Sequence, residues 1–309
     1  MLAYLQLVRL PAVFTAIADI ILGYVLTHQY VLGPEGWHHP QKFFGLMLAS
    51  CSLYMAGMVF NDIFDRKQDA AERPQRPIPS GRVPLRSAVI LGMTLMALGL
   101  LAASTVSLIS LQVAALLIIA IFAYDGVLKR TPAGPLAMGS CRTLNVLLGA
   151  SDQSSWQSPG LLSQVQLFAA IGLGVYIVGV TVFARTEAKT SSRIQLGFAQ
   201  LLFNTGIGIL AVLICRDHWP PEGVARMGLG MLAVIAFTLN SRGMAALADP
   251  SPAKVQTAVK LLLLSYVMLD ATVVFWKLSE SGPYGAAHAL VTASLILPAM
   301  ILARFIPMT

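Results

Sequence analysis

Charge is scarce in this sequence. Only 11% of its 309 residues are Asp, Glu, Lys or Arg, against about 25% in soluble domains, and the mean hydropathy is +0.73. So few charges cannot cover a water-facing surface, which excludes a soluble globular protein. The longest charge-free stretch, Ser87 to Tyr124, runs for 38 residues. At ~1.5 Å per residue that is nearly twice the ~30 Å hydrocarbon core of a bilayer, so it reads as a helical hairpin turning near Ser107–Ser110. Cysteine is scarce too. Cys51, Cys141 and Cys215 lie in or beside apolar runs without metal-ligand spacing, which excludes a disulfide framework. Long polar connections are missing, the longest being Asn61 to Arg86. The chain therefore reads as one membrane domain over residues 1–309. No small-residue cleavage site follows the first apolar run, so Met1 to Leu32 reads as a first helix, not a removable signal.

What is present is a series of apolar segments near 10–30, 42–61, 87–107, 110–125, 134–150, 163–184, 195–214, 225–246, 256–277 and 285–306. The expected fold is all-α, a polytopic bundle of nine or ten transmembrane helices. The net charge of +7 matters less than where the basic residues fall. With a cytoplasmic N-terminus and ten helices, one side holds 16 Lys and Arg residues. The other receives only Lys42, Arg216, Arg226 and Lys277, while Arg142 lies within a helix. That asymmetry is the positive-inside pattern, and it points to a bilayer partner, not nucleic acid. Trp37, Trp156, Trp219 and Trp276 all fall at expected external ends, where amphipathic rings prefer the interface.

The connection after the second segment carries the chemistry. It reads Asn61-Asp62-Ile63-Phe64-Asp65-Arg66-Lys67-Gln68-Asp69, then Glu72-Arg73-Pro74-Gln75-Arg76-Pro77-Ile78-Pro79-Ser80-Gly81. On a helix, Asn61, Asp65 and Asp69 share one face at i, i+4 and i+8, and Asp62 can join Asp65 at i, i+3. Carboxylates this close repel unless a cation neutralises them. Oxygen-only donors suit Mg²⁺, which binds few carboxylates and substrate phosphates. The surrounding Arg and Lys residues supply contacts to the same phosphate oxygens. The cluster lies at a membrane–cytosol boundary, where a lipid tail can stay in hydrocarbon while its diphosphate meets metal. An ordinary solvated loop is the bland alternative, and the helix-spaced Asn/Asp pattern joined to a stiff Arg-Pro segment argues against it.

Asn61-Asp62-x-x-Asp65-x-x-x-Asp69 followed by Arg73-Pro74-x-Arg76-Pro77-Ile78-Pro79-Ser80-Gly81 resembles the first aspartate motif and trailing loop of UbiA-type intramembrane prenyltransferases. The resemblance extends to the helix count, to Arg9-x-Pro11 in the first helix, and to Tyr124 through Lys129-Arg130 before the fifth. It implies nine helices around a lipid-open cavity, a tenth being a C-terminal addition. It further implies Mg²⁺ and a prenyl diphosphate held by Asn61, Asp62, Asp65 and Asp69, with Lys129, Arg73 and Arg76 gripping the diphosphate. The reaction expected is transfer of the prenyl group to a small-molecule acceptor in the membrane. A bacterial plasma membrane is the expected location, with the N-terminus and the aspartate loop cytoplasmic.

The family's second Asp-x-x-x-Asp motif is missing. Its place reads Val182-Phe183-Ala184-Arg185-Thr186-Glu187-Ala188-Lys189-Thr190, and this second half resembles the EboC-like branch of the superfamily. Either Arg185 and Lys189 bind the diphosphate in place of a second metal, with Glu187 as base or as a brace for Arg185, or the protein only binds a prenyl phosphate. Arginine can stabilise a departing diphosphate much as metal does, which favours activity. Asp19, Arg142, Asn145, Asn204 and Asp270 are polar residues inside apolar helices. Such groups mark function or pair with one another, and both readings stand for Arg142 with Asp19 or Asp270. Asn145, at i, i+3 from Arg142, is expected in the same cavity. His38 and His39 read as a wetted external turn. A transporter is the rival class, but no Gly/Pro-broken helices recur at matched positions. A non-catalytic prenyl-lipid binding subunit is the other.

Overall fold

The computed structural model describes residues 2–28, 30–33, 36–152, 164–216, 220–278 and 283–306. A short helix α1 (Leu2–Leu7) and a 3-10 turn (Leu10–Ala12) lead into α2 (Val13–His28). Then follow α3 (Pro40–Glu72), α4 (Leu85–Ser104), α5 (Leu108–Ala123) with a π-helical turn (Tyr124–Leu128), and α6 (Gly134–Gly149). The second half comprises α7 (Gln164–Ala184), α8 (Arg193–Cys215), α9 (Gly223–Ala248), α10 (Pro252–Leu278), α11 (Pro283–Ser294) and α12 (Ile296–Ala303).

Every expected apolar segment is a helix, and nine spans among the described residues are long and apolar enough to cross a bilayer. The expectation placed an extra helix at the C-terminus. There, residues Gly285–Ala303 form a qualifying span, broken at Leu295. The segment outside the nine is α6, with 16 residues. The hairpin turns where expected, because the Ser107 hydroxyl caps α5 by accepting from the Ser110 amide at 2.9 Å. Large apolar side chains such as Leu101, Ile119, Val234 and Phe237 remain exposed, as a lipid-facing surface requires.

Two close helix contacts position the site. A Cβ on Gly206 would lie 2.5 Å from the Tyr176 amide nitrogen and 2.6 Å from the Gly172 carbonyl, so α7 and α8 meet backbone to backbone, as small residues allow in membranes. Likewise a Cβ on Gly149 would lie 2.8 Å from the Ile20 carbonyl. That approach brings α6 against α2 and sets Arg142 and Asn145 beside Asp19. Helix α3 has 33 residues, ~50 Å at the usual rise, so it outruns the hydrocarbon core and carries its acidic turns to the polar boundary.

At the other end of the bundle, a two-residue hairpin pairs Leu32–Gly33 with Gly36–Trp37. The turn expected to be wetted is instead partly packed: His28, His38 and His39 lie 4.4–6.1 Å apart by ring centroid. Burial and the other two imidazoles hold the His38 pKa below its usual value. His28 and Lys42 both approach Asp152, at 3.3 and 2.8 Å. Among the described residues, no three His, Cys, Asp or Glu side chains gather to hold a metal, and the three cysteines are free. Trp156 and Trp219 lie outside the described residues.

Candidate active site

A cavity of about 590 Å³ opens between α2, α3, α5, α6, α7 and α10. Three zones line it. At its mouth are Asn61, Asp65, Asp69, Asp125 and Glu187, with Arg9, Arg73, Arg76, Lys129, Arg130 and Arg185. Apolar walls include Met58, Leu117, Ile121, Met138, Ile177 and Val180. Thr15, Tyr54, Arg142 and Asn145 also line it, Arg142 and Asn145 lying about two and three helical turns into α6 from Gly134. One pocket therefore joins a charged end to a hydrocarbon-like wall.

The helical register explains the mouth. Asn61, Asp65 and Asp69 face the cavity together. The Asn61 amide donates to Asp125 Oδ1 at 2.6 Å, Lys129 pairs with Asp65, and Arg76 donates to Asp69 Oδ2 at 2.8 Å. Asp62 was expected to share a site with Asp65, but it does not line this cavity. At about 100° per residue Asp62 lies on the Asp69 edge of that face, about 60° round from Asp65, where Arg9 and Arg76 each donate to its Oδ1 at 3.2 Å and Arg76 bridges it to Asp69. Arg9 holds a left-handed backbone, φ 47°, uncommon for a residue with a side chain. It sits at the start of the Pro11 turn and reaches Asp62 from there.

Asp125 is the residue that sequence reasoning missed. It lies in the π-helical turn that ends α5, a feature often found at functional sites. The turn carries both Asp125 and the approach to Lys129 over the aspartate face of α3. An acid four residues before Lys129, at the polar end of an apolar helix, was the available signal.

Across the mouth, α7 stops at Ala184 and the chain continues in turns. Arg185 and Glu187 border the cavity. Lys189 does not join them: it is exposed and borders neither of the two cavities at this end. Its i, i+4 relation to Arg185 has no force once the helix has ended. Glu187 is half-buried, and burial raises its pKa against the opposing pull of Arg73, Lys260 and Arg9.

The deep end is a closed network. Arg142 donates to Asp19 Oδ2 at 3.2 Å and to Thr15 Oγ1 at 2.8 Å. Asn145 donates to the same Asp19 oxygen at 2.7 Å, and Tyr266 donates to Asp19 Oδ1 at 2.7 Å. The Arg142 guanidinium lies 5.2 Å from the ring centroids of both Tyr54 and Tyr266. Asp19 is thus the partner of Arg142, and the same arginine borders the cavity. Asp270 is fully buried, and neither of its oxygens has a hydrogen-bond partner among the described residues.

The donors at the mouth are hard oxygens, the chemistry Mg²⁺ prefers. Asn61, Asp65, Asp69 and Asp125 are the residues of that chemistry; paired with an amide and two cations, they are not gathered about one point as a bound ion would draw them. Asp65 and Asp69 are neutralised by Lys129 and Arg76, charges that would otherwise serve phosphate oxygens.

A model of the UbiA prenyltransferase family matches residues 21–305. The digeranylgeranylglyceryl phosphate synthase of Sulfurisphaera tokodaii is 24% identical over 223 residues, 71% of this chain and 78% of that protein. The enzyme of the same name from Methanosarcina barkeri is 34% identical over 159 residues, 48% of this chain and 54% of its own length. Against six further digeranylgeranylglyceryl phosphate synthases the match spans between 34% and 50% of the relative's own length. Among solved structures, a UbiA homologue from Archaeoglobus fulgidus bound to GPP and Mg²⁺ superposes with a TM-score of 0.64 at 15% identity, covering 94% of this chain and 99% of that one. An apo UbiA homologue from Aeropyrum pernix gives 0.64 at 16% identity, covering 85% and 96%.

Proposed function

Because this chain belongs to the UbiA prenyltransferase family, we propose that it transfers a prenyl group from a prenyl diphosphate to a glycerophosphate-type lipid acceptor. The observation that carries this reading is the joining of carboxylates and cations at one mouth to an apolar wall in a single cavity. The diphosphate lies at the mouth and the isoprenoid along Met58, Leu117, Ile121, Met138, Ile177 and Val180. The acceptor class rests on the names of the related enzymes. The mouth faces the cytoplasm, where the sequence places the excess of basic residues.

Asn61, Asp65, Asp69 and Asp125 would hold Mg²⁺, which would supply positive charge to neutralise diphosphate oxygens. Lys129, Arg73, Arg76 and Arg185 bind the remaining oxygens. Arg185 stands where related enzymes carry the second acidic motif and supplies positive charge directly. The bond between the diphosphate oxygen and the allylic carbon breaks, with its electron pair leaving on the diphosphate. The acceptor oxygen bonds to that carbon and gives up its proton, for which Glu187 is the base. The apolar walls exclude water from the carbocation. Catalysis is thus mainly electrostatic stabilisation of a leaving group in a dry site.

The test is diphosphate release by the protein in lipid nanodiscs with geranylgeranyl diphosphate, with and without Mg²⁺, beside Asp65→Ala. Magnesium-dependent release that Asp65→Ala removes is the expected result. A second reading, binding of a prenyl diphosphate without transfer, is favoured by the absence of an acid pair after α7. Tight binding with no release under any condition would establish it instead.

A further inference from the structure

A second cavity, of about 720 Å³, opens beside the first at the same end of the bundle. The two share Arg9, Arg73, Arg76 and Glu187. What belongs to the second alone includes Asp62, Arg82 and Lys260. Its ionisable lining is five cations against two acids, a formal excess of three positive charges (5 − 2). Asp62 is already taken by Arg9 and Arg76, and Glu187 faces Arg73 and Lys260. Among its lining residues only Pro77 and Val259 are apolar, against the row of aliphatic side chains along the first cavity, so its cations are what distinguish it. It suits a compact anion.

The basin is also built, not merely basic. Arg82 donates to the Gln75 carbonyl at 2.5 Å, to Gln6 Oε1 at 2.9 Å and to Ser80 Oγ at 3.1 Å. All three acceptors are neutral, so they hold the guanidinium at the exposed rim of the basin while its charge stays uncompensated. Gln6 comes from α1, 76 residues away, so the N-terminal helix and the proline loop jointly set the geometry. The loop itself is held by Ser80 N to Arg76 O at 3.0 Å and Val83 N to Pro77 O at 3.0 Å, and Gly81 supplies the positive φ its turn requires, 74°. A fixed cation loses little entropy on binding an anion.

We propose that this basin binds the phosphate of a lipid phosphomonoester, the acceptor's headgroup, and so holds the acceptor beside the diphosphate across the shared wall of Arg9, Arg73 and Arg76. The inference rests on the transferase reading for the role of the anion, but not for its binding. Glu187, bordering both cavities, then stands between the acceptor and the donor.

The experiment uses the full chain in nanodiscs, wild type and Arg82→Gln/Lys260→Gln, with geranylgeranylglycerol phosphate and the corresponding phosphate-free alcohol as probes. Binding is measured by ³¹P NMR and competition, without Mg²⁺ or prenyl diphosphate. Removing two charged contacts is expected to weaken phosphate-probe binding about tenfold or more. The alcohol should bind weakly to both proteins, and geranylgeranyl diphosphate affinity should stay within about twofold, since neither residue lines the first cavity. Should the double variant not fold, Lys260→Gln alone, at an exposed position of α10, carries the same expectation at about fivefold. Equal binding of alcohol and phosphate overturns the proposal, as does a parallel loss of diphosphate affinity in the variant. Displacement of the probe by inorganic diphosphate at lower concentration than it displaces itself also overturns it, in favour of a product-exit site. Because no turnover is involved, a failure of magnesium-dependent release would sink the transferase reading and leave this result standing.

Discussion

At the mouth of the cavity Asp65 and Asp69 meet Lys129 and Arg76 amid further cations, whereas at its deep end Arg142 and Asp19 close on each other. Asp19 accepts three side-chain donors, from Arg142, Asn145 and Tyr266, and has no exposure. The mouth is a set of charges with interchangeable partners at a wet boundary. The deep end has one arrangement, and losing any member strands another in a dry interior. The comparison separates two uses of buried charge: exchangeable pairs that can release their partners to a ligand, and a fixed pair that holds three helices in register. Mutations should accordingly cost activity at one end and stability at the other.

The largest effect is expected from Asp65→Ala. It removes a central oxygen donor, so magnesium-dependent diphosphate release should fall by about 10²- to 10³-fold or more, while Tm moves little because Lys129 beside it remains partly exposed. Retained release would remove the mouth from the mechanism. Arg142→Leu should behave in the opposite way. Breaking a buried pair by removing one partner costs about 3–5 kcal/mol, and Asp19 is left without its cation. Thermal unfolding in nanodiscs should show the loss, and Asp19→Asn on top of Arg142→Leu should recover part of it. If Arg142→Leu melts like wild type but loses acceptor affinity, the deep end belongs to the substrate site.

Much of this division was legible in sequence. The i, i+4, i+8 spacing of Asn61, Asp65 and Asp69 put them on one face because helix periodicity holds as long as the helix does, and α3 runs through Glu72. The same logic failed at Lys189, since α7 ends at Ala184 and spacing along a turn says nothing about faces. Asp62 sits about 60° round the helix from Asp65, and its pairing with Arg9 depends on that arginine reaching back from the N-terminal turn. The Arg142 pairing was stated as two options because spacing within one helix cannot tell which distant carboxylate will face it. The choice of Asp19 over Asp270 follows from Gly149, whose missing side chain lets α6 rest on α2. Asp125 had its signal in the acid four residues before Lys129, but the π-helical turn that brings it over α3 has no local sequence mark.

Arg185→Gln sharpens the comparison from the other wall of the mouth. Arg185 is exposed, and among the described residues its side chain donates to the Arg130 carbonyl alone, at 3.3 Å, so its removal should leave Tm unchanged. If its charge replaces a second metal, diphosphate release should fall about tenfold, and Arg185→Lys should restore part of it. Unchanged release would confine leaving-group stabilisation to α3 and the π-helical turn.

Glu187→Gln should give the smallest effect and the most discriminating one, because stability and activity should move in opposite directions. Burial raises the Glu187 pKa above its ordinary 4.5, so the folded chain holds this proton more tightly than the unfolded chain. Its stabilising contribution is therefore present below the unfolded value and is lost as pH rises through the folded one. Glutamine carries no such loss. The variant should melt slightly above wild type at pH 7 to 8, with the gap closing toward pH 4. Turnover should show the reverse: wild-type rate falls with acid as the base is protonated, and the variant loses rate at neutral pH together with that acid limb. A higher Tm with an unchanged pH–rate profile would make Glu187 only a buried acid among arginines, and another group would have to take the acceptor's proton.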